Sequence, residues 1–263
     1  MTWDILRAEL EAELGEPMTV DALTGGWSIV QRLKGHRHSV DDVLTAHFAL
    51  RAAPNAGTVL DLGTGIGGVG LLVLWGLGGG ATLVGIEAQP ISHRLLLANI
   101  AGNGLAARVE SHLGDLRQLA DARRFPLITG SPPYFPVDAG IVPADSQKAH
   151  ARFELRGDVR DYARAAARHL TDDGAFVFCF PSPQRARAVA AATEAGLAVT
   201  EIRDVIPRAS LRPLFTLFAC GRHAEAPPRE APPLVVRDEA GRLTDEMQAV
   251  RASFGFVVEG QDR

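Results

Sequence analysis

Val59-Leu-Asp-Leu-Gly-Thr-Gly-Ile-Gly-Gly68 is the stretch on which the fold turns: a hydrophobic strand runs into a glycine-rich turn, and the turn opens a helix over Gly67–Leu77. With no side chain in the way, such a turn brings backbone N–H groups and a helix N-terminus close to a ligand. From about Thr58 onward, short apolar β-branched runs alternate with amphipathic segments of helical length, the pattern of a parallel sheet covered by helices on both faces. Strands are predicted at Thr58–Leu62, Thr82–Glu87, Arg108–Leu113, Leu127–Gly130, Ala175–Phe180, Ala198–Val205 and Leu214–Cys220. Further helices are expected over Ile91–Ile100, Val159–Leu170 and Pro183–Glu194, with Gly102 and Gly196 as stops after the first and the last. Nothing helical separates the final two strands, so they should close as an antiparallel hairpin at the sheet edge. The fold class is α/β: a doubly wound, mostly parallel seven-stranded sheet with an antiparallel edge hairpin.

Three segments are expected: an N-terminal extension packing on the core (1–50), the α/β domain (51–222), and a proline-rich connector with a C-terminal tail (223–263). The chain has 263 residues, of which 46% are hydrophobic, which excludes disorder as the main state. Its 27 Lys+Arg against 31 Asp+Glu leave a charge of −4, so it is not a generally basic protein. Leu62 to Ile86 carries no charge and is long enough to cross a bilayer, but its glycines break it into strand, loop, helix and turn, and no membrane span is expected. Cys179 and Cys220 lie far apart in apolar runs and read as reduced core residues. The acidic, amphipathic start MTWDILRAELEAELGEP lacks the features of a secretory signal, and a cytoplasmic protein is expected.

The glycine turn parses in two ways. Gly63, Gly65 and Gly68 satisfy GxGxxG with Glu87 at the distance of a ribose-binding acid, the dinucleotide fingerprint. Alternatively, Asp61, Gly63, Gly65 and Gly67, with Thr64 between the first two glycines, satisfy the acidic-x-G-x-G-x-G pattern of S-adenosylmethionine sites. A pyrophosphate would meet the Asp61 carboxylate as a like charge, whereas a cationic ammonium and sulfonium would be attracted by it. Glu87 can accept from ribose hydroxyls in either case. Asp115, just past the third strand, is placed to accept from an adenine amino group or to cap the following turn.

Ser131-Pro132-Pro133-Tyr134 follows the fourth strand directly, and in doubly wound sheets ligands sit at the carboxyl ends of the strands. An exocyclic nucleobase amine, or a side-chain amide, is planar and attacks a methyl group poorly. Accepting its two N–H hydrogens at the Ser131 hydroxyl and the Pro132 carbonyl favours the pyramidal, electron-rich nitrogen of the transition state. The prolines lock the backbone so that the carbonyl points inward, and Tyr134 offers a face on which a flipped-out base can stack. The opposing reading is a rigid surface turn.

In this order, DLGTGIG, Glu87, GDL and SPPYF resemble the class I amino-methyltransferases with an Asn/Asp/Ser-Pro-Pro-Tyr motif. The flanking segments HSVDDVLTAHFA and SQKAHARFEL and the pattern from Leu234 to Phe256 resemble the tRNA(Val) adenine-N6 methyltransferase family. The resemblance implies a Rossmann-like methyltransferase fold and S-adenosylmethionine as cofactor, with Asp61 and Gly63 near its methionine part, Glu87 at the ribose and Asp115 at the adenine. It further implies that Ser131 to Tyr134 hold the acceptor amine and that Asp41 lies near the pocket. The target implied is adenine N6 in tRNA; cytosine-N4 and protein glutamine methylation use the same turn, and outside that chemistry stand a nicotinamide oxidoreductase and a non-catalytic binding protein. That RNA family has asparagine where this chain has Ser131.

Nucleic-acid contact is suggested by local clusters. Arg32, Lys34, His36, Arg37 and His38 gather ahead of the core, Lys148, His150, Arg152 and Arg156 follow the SPPY turn, and Arg203, Arg208 and Arg212 flank the hairpin. Lys34, Arg37, His38, Lys148 and Arg152 are the candidate RNA contacts. The histidines have no metal-ligand spacing, and no metal is expected.

Overall fold

The computed structural model describes residues 2–224 and 226–257. Helix α1 (Trp3–Leu14), a hairpin of β1 (Met18–Ala22) and β2 (Ser28–Arg32), and α2 (Val40–Ala52) precede the glycine motif. The core then runs β3 (Thr58–Leu62), α3 (Gly68–Leu77), β4 (Thr82–Glu87), α4 (Pro90–Gly102), β5 (Val109–Leu113) and β6 (Phe125–Gly130). After it come α5 (Ser146–Arg152), α6 (Val159–His169), β7 (Leu170–Pro181), α7 (Arg185–Glu194), β8 (Ala198–Ile206), β9 (Phe215–Gly221), β10 (Arg229–Val235) and α8 (Asp245–Ser253).

The main sheet has eight strands, not seven, in the order β10-β8-β9-β7-β6-β3-β4-β5. The eighth, β10, lies within the segment read as a connector, and it pairs parallel to β8 with a register break between Ala231 and Leu234. Pro232 and Pro233 occupy that break; on an edge strand a missing N–H removes no ladder bond, so prolines are tolerated there. The antiparallel hairpin β8–β9 forms, but not at the edge: β9 inserts antiparallel beside β7, and β10 covers β8 from outside. The expected C-terminal tail includes residues 258–263, which lie outside the described residues.

Alternation along the strands divides two apolar layers. Val59, Leu127 and Val177 pack with α1–α4 and α8, while Leu60, Ile128 and Phe176 pack with α6 and α7. Residues Gly68 to Leu74 of α3 are all buried, so the uncharged stretch is a strand and a core helix. No helix among the described residues is long and apolar enough to cross a membrane.

The topology reverses at β3, which has β4 on one side and β6 on the other. Leu62 and Gly130 are partners in the parallel β3–β6 register, so Gly63 and Ser131 leave the sheet side by side at the switch point, where such folds bind ligands.

Candidate active site

The glycine turn is left-handed at three positions, with φ of +62° at Gly63, +59° at Gly65 and +98° at Gly67. The need for glycine is steric as well at the first, where a Cβ would lie 2.2 Å from the Tyr162 hydroxyl. The turn is stitched to β4 by Thr64 N–H donating to the Ile86 carbonyl (3.0 Å) and Gly65 N–H donating to Glu87 Oε2 (2.9 Å). Beneath it, Asp61 Oδ1 accepts from the Thr129 hydroxyl (2.7 Å) and Oδ2 from Gly70 N–H (3.1 Å), which ties β3 to β6 and α3. Burial pushes Asp61 up to about 6. Burial also raises Glu87, whose second oxygen accepts from Gln89 N–H (2.7 Å). Asp115 caps the turn Leu116–Gln118 through Arg117 N–H (2.9 Å) and pairs with the Arg117 guanidinium, whose hydrogen bond holds its carboxyl below the usual range.

On the other side, Pro132 and Pro133 are buried. The Tyr134 hydroxyl donates to Asp41 Oδ2 (3.1 Å), and Cys179 Sγ lies 3.2 Å from that hydroxyl and 3.8 Å from Ser131 Oγ. Gln184 Nε2 donates to the Tyr134 carbonyl (2.7 Å) and Tyr134 N–H to the Arg152 carbonyl (3.0 Å), so the SPPY turn is anchored from two directions. The Tyr134 ring meets Phe180 and Phe135 edge-on at centroid distances of 6.1 and 6.4 Å. Burial pushes the Cys179 thiol up to about 12, keeping it protonated between the two hydroxyls.

The N-terminus of α2 closes this side. Ser39 and Asp42 form a capping box, and Asp42 Oδ2 accepts from Ser39 N–H (3.0 Å) and meets His38 Nδ1 (2.9 Å). Its carboxylate rests on the glycine turn, where a Cβ on Gly68 would lie 2.8 Å from Oδ2. Burial and the neighbouring Asp42 charge raise Asp41.

One cavity joins the two sides. Asp61, Gly63, Thr64, Gly65, Glu87 and Asp115 line it from the cofactor side, and Ser131, Pro133, His38 and Asp42 from the acceptor side. Gly67, Asp41, Pro132 and Tyr134 adjoin these residues without being part of its lining. Four carboxylates line the cavity together with the guanidiniums of Arg37 and Arg156. Asp61 is the acid directly beneath the glycine turn, where it suits a cation and would repel a pyrophosphate dianion, which favours the S-adenosylmethionine parse. Glu87 and Asp115 would hold the ribose and adenine, and the acid-lined floor would meet the ammonium and sulfonium.

Sequence reasoning missed Asp42, Tyr162 and the position of Cys179. Tyr162 carried a signal: it is one of only two tyrosines in the chain, and both are at this site. Of the basic clusters, Lys34, Lys148, Arg152, Arg156, Arg208 and Arg212 make no ion pair among the described residues, although Asp145 feels the Lys148 charge. Arg37 pairs with Asp21 (2.9 Å) and His38 turns to the cavity. Arg32 and Arg203 are structural: Arg32 is buried against Glu16 (2.6 Å) and Asp145 (2.7 Å), and Arg203 against Glu246 (2.6 Å).

No family model matches the chain. Among solved structures, a predicted O-methyltransferase from Agrobacterium tumefaciens superposes with a TM-score of 0.63 at 20% identity, covering 81% of this chain and 96% of that one. The architecture is therefore the Rossmann-like fold of the S-adenosylmethionine-dependent methyltransferases. Within that class the chain is similar to proteins named tRNA1(Val) (adenine(37)-N6)-methyltransferase. It is 28% identical to the one from Dickeya chrysanthemi over 243 residues, 88% of this chain and 94% of the relative. It is 23% identical to the one from Actinobacillus pleuropneumoniae over 198 residues, 74% of this chain and 81% of the relative.

Proposed function

We propose that this protein transfers a methyl group from S-adenosylmethionine to the exocyclic N6 amine of an adenine in tRNA, in the cytoplasm, through a catalytic domain spanning residues 51–222. The observation that carries the reading is the β3–β6 register, which sets Gly63 and Ser131 next to each other on one cavity. The likeness to the tRNA methyltransferases over most of both chains supports the adenine target.

When bound, the cofactor supplies an electrophilic methyl on sulfur. The protein's part is positioning. The Ser131 hydroxyl and Pro132 carbonyl accept the two amine hydrogens, Tyr134 holds the base, and the prolines keep both acceptors still. Alignment of this kind can supply about 7–11 kcal/mol of the barrier. Labelled S-adenosylmethionine and bulk tRNA, followed by nucleoside mass spectrometry, test the reading. N6-methyladenosine is the expected product; N4-methylcytosine would reassign the base, and labelled glutamine in protein would remove RNA as the target.

A further inference from the structure

Methylation of an amine leaves a surplus proton, and the SPPY turn has nothing to receive it: the Ser131 hydroxyl and a backbone carbonyl accept hydrogen bonds but not protons at neutral pH. Of the three histidines on the cavity wall, His36, His38 and His150, His38 is the one whose ring nitrogen meets a carboxylate among the described residues. The His38 backbone N–H donates to Gln31 Oε1 (2.9 Å), fixing the residue, and Nδ1 lies 2.9 Å from Asp42 Oδ2. A carboxylate at Nδ1 selects the tautomer with the hydrogen on that nitrogen, which leaves Nε2 as the acceptor on a ring that lines the cavity. Asp42 itself is fixed by the capping box and by its seat on Gly68. The preceding residue of α2, Asp41, accepts from the Tyr134 hydroxyl, so the same helix end holds both the dyad and the acceptor turn.

We propose that His38, oriented by Asp42, accepts the proton released by the methylated amine. The inference rests on the methyl-transfer reading above. The amine lone pair forms the new N–C bond while the C–S bond breaks and its electron pair stays on sulfur. The cationic amine then gives its proton to Nε2, and the imidazolium formed is stabilised by the Asp42 carboxylate. The charged groups around the ring are Asp41 and Asp42 from α2, Asp21 from β1, and His36 and Arg37 on its own loop. Arg37 is already paired with Asp21. Burial opposes an imidazolium at His38, but the Asp42 hydrogen bond and the surrounding acids outweigh it and hold the ring above the ordinary histidine range. A cation entering the same cavity moves it back down, toward the neutral base that the reaction needs.

The test begins with the imidazole itself, followed by NMR in wild-type protein across pH 5 to 9. It is run with S-adenosylhomocysteine, whose thioether is neutral, and with sinefungin, which carries an ammonium in place of the sulfonium. His38 should titrate about one unit lower with sinefungin; identical titrations would overturn the proposal. In the second arm, His38→Gln should keep its melting temperature and bind S-adenosylhomocysteine within about threefold of wild type. Its methyl transfer should fall by about 10²–10⁴-fold, and the acid limb of the kcat–pH profile should disappear. An unchanged rate, or a loss confined to cofactor affinity, would make the dyad a helix cap and nothing more. If wild-type protein binds both ligands yet methylates no nucleic acid, the functional reading fails and the proton-acceptor role falls with it; methylation by wild type that His38→Gln matches in rate overturns the role of His38 alone.

Discussion

On the cofactor wall, Asp61, Glu87 and Asp115 each have their carboxylate oxygens taken up by donors of the same chain, and the glycine turn is sewn to β4 before any ligand arrives. Toward the acceptor side, Lys34, Lys148 and Arg152 make no ion pair among the described residues, although Asp145 feels the Lys148 charge, and Phe135 is exposed. Under the proposed function, the difference answers to the sizes of the two ligands. A small cofactor is recognised by a rigid cage whose shape is complete in advance, while a polyanion brings its own counter-charges and needs cations left unpaired for it.

The largest effect should come from separating the walls at Tyr134. Tyr134→Ala removes the stacking face and releases Asp41 and Cys179; kcat should fall by at least about 10²-fold, as expected for misplaced reactants, with S-adenosylhomocysteine affinity within about twofold of wild type. Titration calorimetry beside steady-state kinetics checks it. A parallel loss of cofactor affinity would show that the two walls are one mechanical unit. Tyr134→Phe sharpens the point, since it keeps the ring and loses only the hydrogen bond to Asp41.

The converse variant is Gly63→Ala, in which a methyl group collides with the Tyr162 hydroxyl and must also adopt a left-handed backbone. That conformation alone costs about 1–2 kcal/mol. Cofactor affinity should drop by about 10–100-fold, with RNA binding in a filter assay unchanged. Weakened RNA binding would mean that the glycine turn also shapes the acceptor side.

The same contrast governs how much was readable beforehand. The cofactor wall comes from consecutive strand ends, each with its motif beside it, so β3, β4 and the turn between them are legible within a few residues. The sheet order is not local: whether a final hairpin lies at the edge or inserts beside β7 depends on pairings that no periodicity reports, and β10 was hidden by the prolines that its edge position tolerates. Asp41 and Asp42 open one helix and are equivalent in sequence, yet successive residues on a helix point about 100° apart, so one faces Tyr134 and the other the cavity. Arg32 looked like a phosphate ligand because its acid, Asp145, is 113 residues away. Burial of Cys179 was legible from its apolar run; its contact with Ser131 required the β6–β7 register.

A smaller effect tests whether the cofactor feels the Asp61 charge. Because burial raises this carboxyl to about 6 from an ordinary 3.8, the folded protein holds a proton that the unfolded chain gives up earlier. The stabilisation is complete below about pH 4 and is lost as pH rises through about 6, so this group lowers the melting temperature of the free protein over that window. A cationic cofactor favours the ionised form. Affinity for S-adenosylmethionine should therefore rise by up to about tenfold between pH 5 and 7, and Asp61→Asn should remove this group's share. A flat profile in wild type would reduce Asp61 to a structural pin.

The smallest individual effects belong to the free cations. Each phosphate contact contributes a few-fold to affinity and about one unit to the slope of log K against log salt. Lys148→Ala and Arg152→Ala should each weaken tRNA binding about three- to fivefold and flatten that slope by about 1, with S-adenosylhomocysteine affinity unmoved. Arg37→Ala is the control that gives the comparison its edge: its guanidinium is already paired with Asp21 and donates to Thr19 Oγ1, so its loss should cost stability but leave the salt slope as it was. Equal slopes for Arg37→Ala and Lys148→Ala would mean that internal pairing does not mark which cations meet the RNA, and the distinction between the two walls would then lie in their shapes alone.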